Sequence, residues 1–128
     1  MNLAVSSLDE ALCLRYRGIQ TPILSLGYIL PEHLLTAQKH NITISLDSLE
    51  HAYSIKKSKV TGLTLHIKID TGMNRLGFKK VSEVQQAIDL LKEENHIEGI
   101  YTHYVDSSVS DNPLTDQQYQ LFENILKE

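Results

Sequence analysis

Apolar residues recur along the chain in two rhythms. Short runs rich in β-branched residues stand at Asn2–Val5, Pro22–Gly27, Ile42–Leu46, Leu63–Asp70 and Ile97–Tyr104. Each is followed by a longer segment with helical spacing, and the pair returns about every 25 residues, which predicts five βα units. Four helix starts carry a short polar residue three places before a Glu or Gln: Ser7 with Glu10, Asp47 with Glu50, Ser82 with Gln85 and Thr115 with Gln118. That spacing lets the two side chains satisfy each other's free backbone N–H groups. The remaining helix opens at Pro31, where a missing N–H costs nothing, and Gly18 and Asn41 stand where left-handed residues should end the first two helices.

Strands separated by helices imply a parallel sheet with right-handed crossovers, either doubly wound or closing into a barrel. The strand faces discriminate between them. In Leu63–Asp70 the residues Leu63, Leu65, Ile67 and Ile69 point one way while Thr64, His66, Lys68 and Asp70 point the other, and Ile42, Ile44 and Leu46 likewise oppose Thr43 and Ser45. Central strands of a doubly wound sheet are covered by helices on both faces and read as continuous apolar runs. The alternation therefore predicts an α/β fold of parallel βα repeats, about five of the eight units of a TIM-type (β/α)8 barrel, with the polar face turned inward. Eight such units need about 200 residues and barrels typically run to about 250, so 128 residues are expected to be one part of a larger barrel, with unpaired edges at Asn2–Val5 and Ile97–Tyr104.

Composition narrows the function classes. Twelve Lys and Arg against sixteen Asp and Glu give a net charge of -4, which disfavours nucleic acid as a partner. No apolar run approaches the roughly 18 to 20 residues of a membrane span, and Met1–Ser7 lacks the pattern of a secretion signal, so the expected location is the cytoplasm. The single cysteine, Cys13, excludes an internal disulfide and is expected to pack in the core of its helix. The six histidines have no metal-ligand spacing, and most are expected to be solvated.

Ligands of parallel α/β sheets bind at the carboxyl ends of strands, which directs attention to the segments after Asp70 and His103. His66, Lys68 and Asp70 place three ionisable groups on one interior face, either a structural ion-pair network or a site. The turn Asp70-Thr71-Gly72-Met73-Asn74-Arg75-Leu76-Gly77-Phe78 holds an arginine between residues that tolerate left-handed backbone, suited to presenting a guanidinium to an anionic oxygen. Phosphate-loop and calcium-loop readings fail, because Phe78-Lys79 replaces Lys-Ser/Thr and because Arg75 and Val81 stand where Gly and Glu are needed.

The stretch His66-Ile67-Lys68-Ile69-Asp70-Thr71-Gly72-Met73-Asn74-Arg75-Leu76-Gly77-Phe78 resembles the signature strand and loop of bacterial alanine racemases, a pyridoxal-phosphate enzyme family. Leu3 to Leu12 is similar to that family's second barrel strand and helix, Pro22 to Gly27 to its third strand, and Ile97 to Tyr104 to its sixth. The resemblance implies that residues 1–128 form strands two to six of the family's N-terminal barrel domain. It also implies interconversion of L-alanine and D-alanine through an aldimine of pyridoxal 5′-phosphate, supplying D-alanine for peptidoglycan, in a homodimeric parent enzyme. By the same resemblance Arg75 would donate to the cofactor's phenolic oxygen and help fix the substrate carboxylate. Lys68 falls on a lysine carbamylated in many members, and His103 on the histidine beside the pyridine ring.

The family's Schiff-base lysine lies on its first strand, and its second base is a tyrosine of the partner subunit. Neither is among these residues, so the chain alone is expected to be inactive and to bind the cofactor weakly or not at all. The expected partners are the substrate and the remainder of the racemase chain. A non-catalytic half-barrel binding module, and a segment of a related serine racemase, are the alternatives.

Overall fold

The computed structural model describes residues 2–108 and 111–127; Met1, where the secretion-signal reading begins, lies outside the described residues. Five strands, β1 (Leu3–Val5), β2 (Ile23–Ser25), β3 (Ile42–Leu46), β4 (Thr64–Ile69) and β5 (His96–Thr102), form one sheet in the order β1-β2-β3-β4-β5, every pair parallel. Helices α1 (Leu8–Tyr16), α2 (Leu34–Lys39), α3 (Leu49–Ser58) and α4 (Val81–Leu91) make the crossovers, and α5 (Pro113–Leu126) follows β5. A doubly wound sheet reverses direction from an internal strand, whereas here each strand lies beside its predecessor, as barrel staves do.

The two faces divide as the alternation predicts. Ile23, Ile42, Ile44, Leu46, Leu65, Ile67 and Ile69 are at most 2% exposed and pack with Ala11, Leu34, Ala37, Ala52, Ile55, Ala87 and Leu91 of the helices. The opposite face carries Thr43, Ser45, His66, Lys68 and Tyr101. Between Leu65 and His66 the pairing with β5 slips by one residue, so that His66 stands opposite Gly99 and Glu98 becomes the extra residue of a bulge. The freed Glu98 carboxylate meets His66 Nε2 at 2.9 Å, and a Cβ on Gly99 would sit 3.3 Å from the imidazole.

Helix starts follow the expectation only in part. Ser7 caps α1 by accepting from the Glu10 N–H, but Glu10 reaches back to the backbone N–H and hydroxyl of Ser6, one residue earlier than the capping-box spacing implies. The cap of α3 is Ser48, which accepts from His51 N–H, not Asp47. Lys80 takes the cap position of α4 with no side-chain bond, leaving Ser82 inside the helix, and Asn112 caps α5 in place of Thr115. At α3, α4 and α5 the chain leaves its extended stretch earlier or later than the polar residue singled out by spacing. Pro31 opens a 3-10 turn, Pro31–His33, that leads into α2. Gly18 and Asn41 adopt φ of 85° and 51°, as expected at the ends of their helices.

Cys13 is exposed, contrary to the expectation of a packed thiol. Helix α1 turns Leu8, Ala11 and Leu14 toward the core, and the fully buried Ala11 makes the close approach, leaving Cys13 on the solvent side.

Candidate active site

The carboxyl ends of the strands gather the ionisable residues. Strand β4 runs directly into the loop 70–78, which the backbone folds back on itself: Asp70 N–H donates to Phe78 O and Phe78 N–H to Lys68 O, both at 2.9 Å. Phe78, 2% exposed, anchors the far end. Inside, Asp70 Oδ1 accepts the N–H groups of Gly72 and Asn74 at 3.0 Å each, and Lys79 Nζ lies 3.7 Å from Oδ2. Burial pushes the Asp70 carboxyl up, but these donors more than offset it and hold it below the usual carboxylate range. At Gly77, φ is 134° and a Cβ would lie 2.7 Å from Asp70 N, so only glycine closes this loop. The loop is thereby a rigid mount for the exposed Arg75.

A second set of bonds ties this loop to β5 and α5. Thr71 Oγ1 and Thr102 Oγ1 are 2.8 Å apart, and Thr102 Oγ1 also donates to Ile69 O. Gln118 of α5, 1% exposed, donates through Nε2 to Thr71 Oγ1 and to His103 O, and its Oε1 accepts the Val105 N–H. One amide thus fixes the start of the Arg75 loop against the backbone of His103. Spacing alone marks Gln118 only as half of a capping pair.

Lys68, Arg75 and His103, the three residues singled out from the sequence, line one cavity of about 250 Å³. Ser6 closes it from the end of β1, and Leu26 and Gly27 close it from the end of β2. Gly27 permits this closure, since a Cβ there would fall 2.5 Å from Ser6 O. Lys68 is 4% exposed, and its ammonium has no carboxylate within ion-pairing distance among the described residues. Burial, then the neighbouring Arg75 charge, push its pKa down, opposed by Asp47 and Asp70. The side chains of Arg75 and His103 make no hydrogen bond among the described residues.

Beside this cavity lies a polar group that sequence reasoning missed. Asp47, at the end of β3, meets His51 Nδ1 at 3.2 Å and accepts the Ser48 hydroxyl at 3.1 Å. His51, one of six histidines most of which are expected to be solvated, is 1% exposed; its ring packs tilted against Tyr28 at 4.3 Å and its Nε2 is buried without a partner. Tyr101 of β5 reaches across β4 to put its hydroxyl 2.6 Å from Ser45 Oγ of β3. Among the described residues no cluster of His, Cys, Asp and Glu could hold a metal ion, and no helix is long and apolar enough to cross a membrane.

The family model described as alanine racemase, N-terminal domain, matches residues 1–128. An alanine racemase of Streptococcus suis is 41% identical over 125 residues, which cover 95% of this chain and 34% of that protein. One from Streptococcus pneumoniae is 40% identical over the same share of each. This chain therefore spans about a third of the length of these relatives. Among solved structures, an alanine racemase from Oenococcus oeni superposes with a TM-score of 0.89 at 30% identity, covering 98% of this chain and 37% of that one. A histidine racemase from Leuconostoc mesenteroides does so with a TM-score of 0.88 at 25% identity, covering 98% and 35%.

Proposed function

This chain belongs to the alanine racemase family, matching its N-terminal domain from end to end, and on that premise we propose that it forms strands two to six of the barrel of a pyridoxal 5′-phosphate-dependent racemase interconverting L-alanine and D-alanine. The observation that carries the reading is the convergence of Lys68, Arg75 and His103 on one cavity at the carboxyl ends of the strands. Its donor set, a guanidinium, an imidazole and a buried amine without a carboxylate partner, fits a flat ring compound bearing a phenolic oxygen and a substrate carboxylate. The volume falls just below the roughly 300–1,000 Å³ of small-molecule sites, in keeping with a cavity that receives further walls from other parts of the enzyme.

Arg75 is the principal binding group. Its planar fork, mounted on the loop closed by Asp70 and Gly77, would donate to the ring oxygen of the cofactor and to the substrate carboxylate. His103, held at its backbone by Gln118, would hold the ring from the next strand. Lys68, buried beside Arg75, sets the charge against which the guanidinium works. When bound, the cofactor supplies an electron sink that acidifies the amino acid's α-proton. Racemisation needs a base on each face of that carbon, and the basic groups of this cavity come from β4, its loop and β5 alone. On this reading the isolated chain is expected to be inactive. In the parent enzyme, a cytoplasmic homodimer on this reading, the product D-alanine serves cell-wall precursors.

The likeness to the histidine racemase supports a second reading, racemisation of another amino acid by the same barrel. One set of measurements tests the site and the inactivity that both readings share. Pyridoxal phosphate titrated into the purified chain should give weak, saturable absorbance changes that Arg75→Gln weakens about tenfold. D-Alanine, D-serine and D-histidine should not form above the rate with free cofactor. Binding indifferent to Arg75 would overturn the site assignment, and turnover by the isolated chain would overturn its inactivity.

A further inference from the structure

Helix α5 docks on the sheet through a polar side chain. Phe122 and Ile125 pack partly against the core, but the only buried residue of the helix is Gln118. An apolar residue would dock a helix with no polar group to desolvate, whereas a buried amide has to recover its lost water contacts bond by bond. Gln118 recovers all of them. Its Oε1 accepts the Val105 N–H at 3.0 Å, and Nε2 donates to Thr71 Oγ1 at 3.2 Å and to His103 O at 3.3 Å. Both amide hydrogens and the oxygen are committed, and the Val105 N–H fixes which end of the amide is the oxygen.

The bonds continue from Gln118 in one direction. Thr102 spends its hydroxyl hydrogen on Ile69 O at 3.0 Å, so the 2.8 Å contact between the two threonine hydroxyls is donated by Thr71, whose oxygen receives the amide. One polarised series therefore runs from α5 through the loop 70–78 to β5 and back to the end of β4. The Gln118 side chain also rests against Gly72, where a Cβ would stand 3.7 Å from its Cγ and Nε2. Gln118 itself does not line the cavity of Arg75 and His103. From this geometry we infer that Gln118 is a positioning residue: it holds the Arg75 loop and the His103 segment at one spacing, so that the two binding groups keep their relative placement only while α5 is docked. The ligand of that pair rests on the racemase reading, but the coupling belongs to the chain without cofactor.

Amide hydrogen exchange on the chain without cofactor reads the coupling. In Gln118→Met, which keeps the side chain's length and removes its polar atoms, the Gly72 and Asn74 N–H groups should exchange about tenfold faster, together with that of Val105. Thr71→Val cuts the same series at its loop end. Gly72 and Asn74 should again speed up, while Val105, still bonded to Gln118, keeps the parent rate. Thr115→Val is the control, because Thr115 Oγ1 ties α5 to Asp106 O at 2.8 Å without touching the loop; it should leave Gly72 and Asn74 unchanged. Parent rates at Gly72 and Asn74 in Gln118→Met, or their equal release by Thr115→Val, would overturn the inference. Should Gln118→Met fail to fold, Thr71→Val decides alone. Pyridoxal phosphate titrated into the chain gives a second readout: Gln118→Met should weaken binding about threefold, and by less in an Arg75→Gln background, since part of the effect runs through Arg75. Parent-like affinity in Gln118→Met would overturn the positioning role. No binding by the parent chain would count against the racemase site alone, and the exchange rates would still decide the coupling.

Discussion

Two arginines stand at opposite ends of the same sheet and live in opposite ways. Arg15, in the last turn of α1 at the amino ends of the strands, donates Nε to His40 O, Nη1 to Ile19 O and Thr21 O, and Nη2 to Asn41 O, all at 2.8–2.9 Å. It joins the turn before β2 to the turn before β3. Arg75, at the carboxyl ends, makes no hydrogen bond among the described residues although its loop is closed by several. Backbone carbonyls consume one guanidinium. The other is held rigid by its main chain and left with its donors unspent. Rigid backbone beneath an unpartnered charge is what distinguishes a binding end from a stabilising end.

The comparison breaks most visibly at the loop. Gly77→Ala forces a Cβ against Asp70 N and Ile69 C, 2.7 and 2.9 Å away, where neither can yield. We expect a loss of about 3 kcal/mol, measured by urea unfolding; a parent-like midpoint would show that the Arg75 mount is slack. Arg15→Ala should lose about 2 kcal/mol by the same measurement, since four carbonyls lose a charged donor. Asp70→Asn should cost about 1 kcal/mol at neutral pH, with a signature in acid. The native Asp70 carboxyl titrates below its ordinary value, so its contribution is complete above the unfolded value of about 3.9 and disappears as pH falls through the lower native one. Parent and variant stabilities should therefore converge in acid, and parallel curves would refute the assignment. Arg75→Gln should shift stability by less than about 0.5 kcal/mol, and a larger loss would make Arg75 a second Arg15.

Period-two alternation made the sheet legible, because a strand with helices on one side must separate Leu65, Ile67 and Ile69 from His66 and Lys68. The carboxyl-end rule then directed attention to the segments after Asp70 and His103, and the resemblance to alanine racemases singled out Lys68, Arg75 and His103 around them. Helix caps were less legible. Asp47 and Ser48 are adjacent and both competent, and the choice between them is made by where β3 releases the chain. That choice leaves Asp47 at the strand end, where it meets His51 one turn into α3. Gln118 finds Thr71 across 47 residues, a contact that no local pattern encodes. Cys13 was misplaced because α1 has apolar residues on more than one side, and its packed stripe is set by Ala11 against the sheet.

The strand order β1-β2-β3-β4-β5 has a kinetic consequence. Every strand finds its partner in the unit made just before it, so each closing loop is short and the contact order stays low for a parallel sheet. Assembly can therefore keep pace with synthesis, each new βα unit docking on a template already laid down by the ribosome.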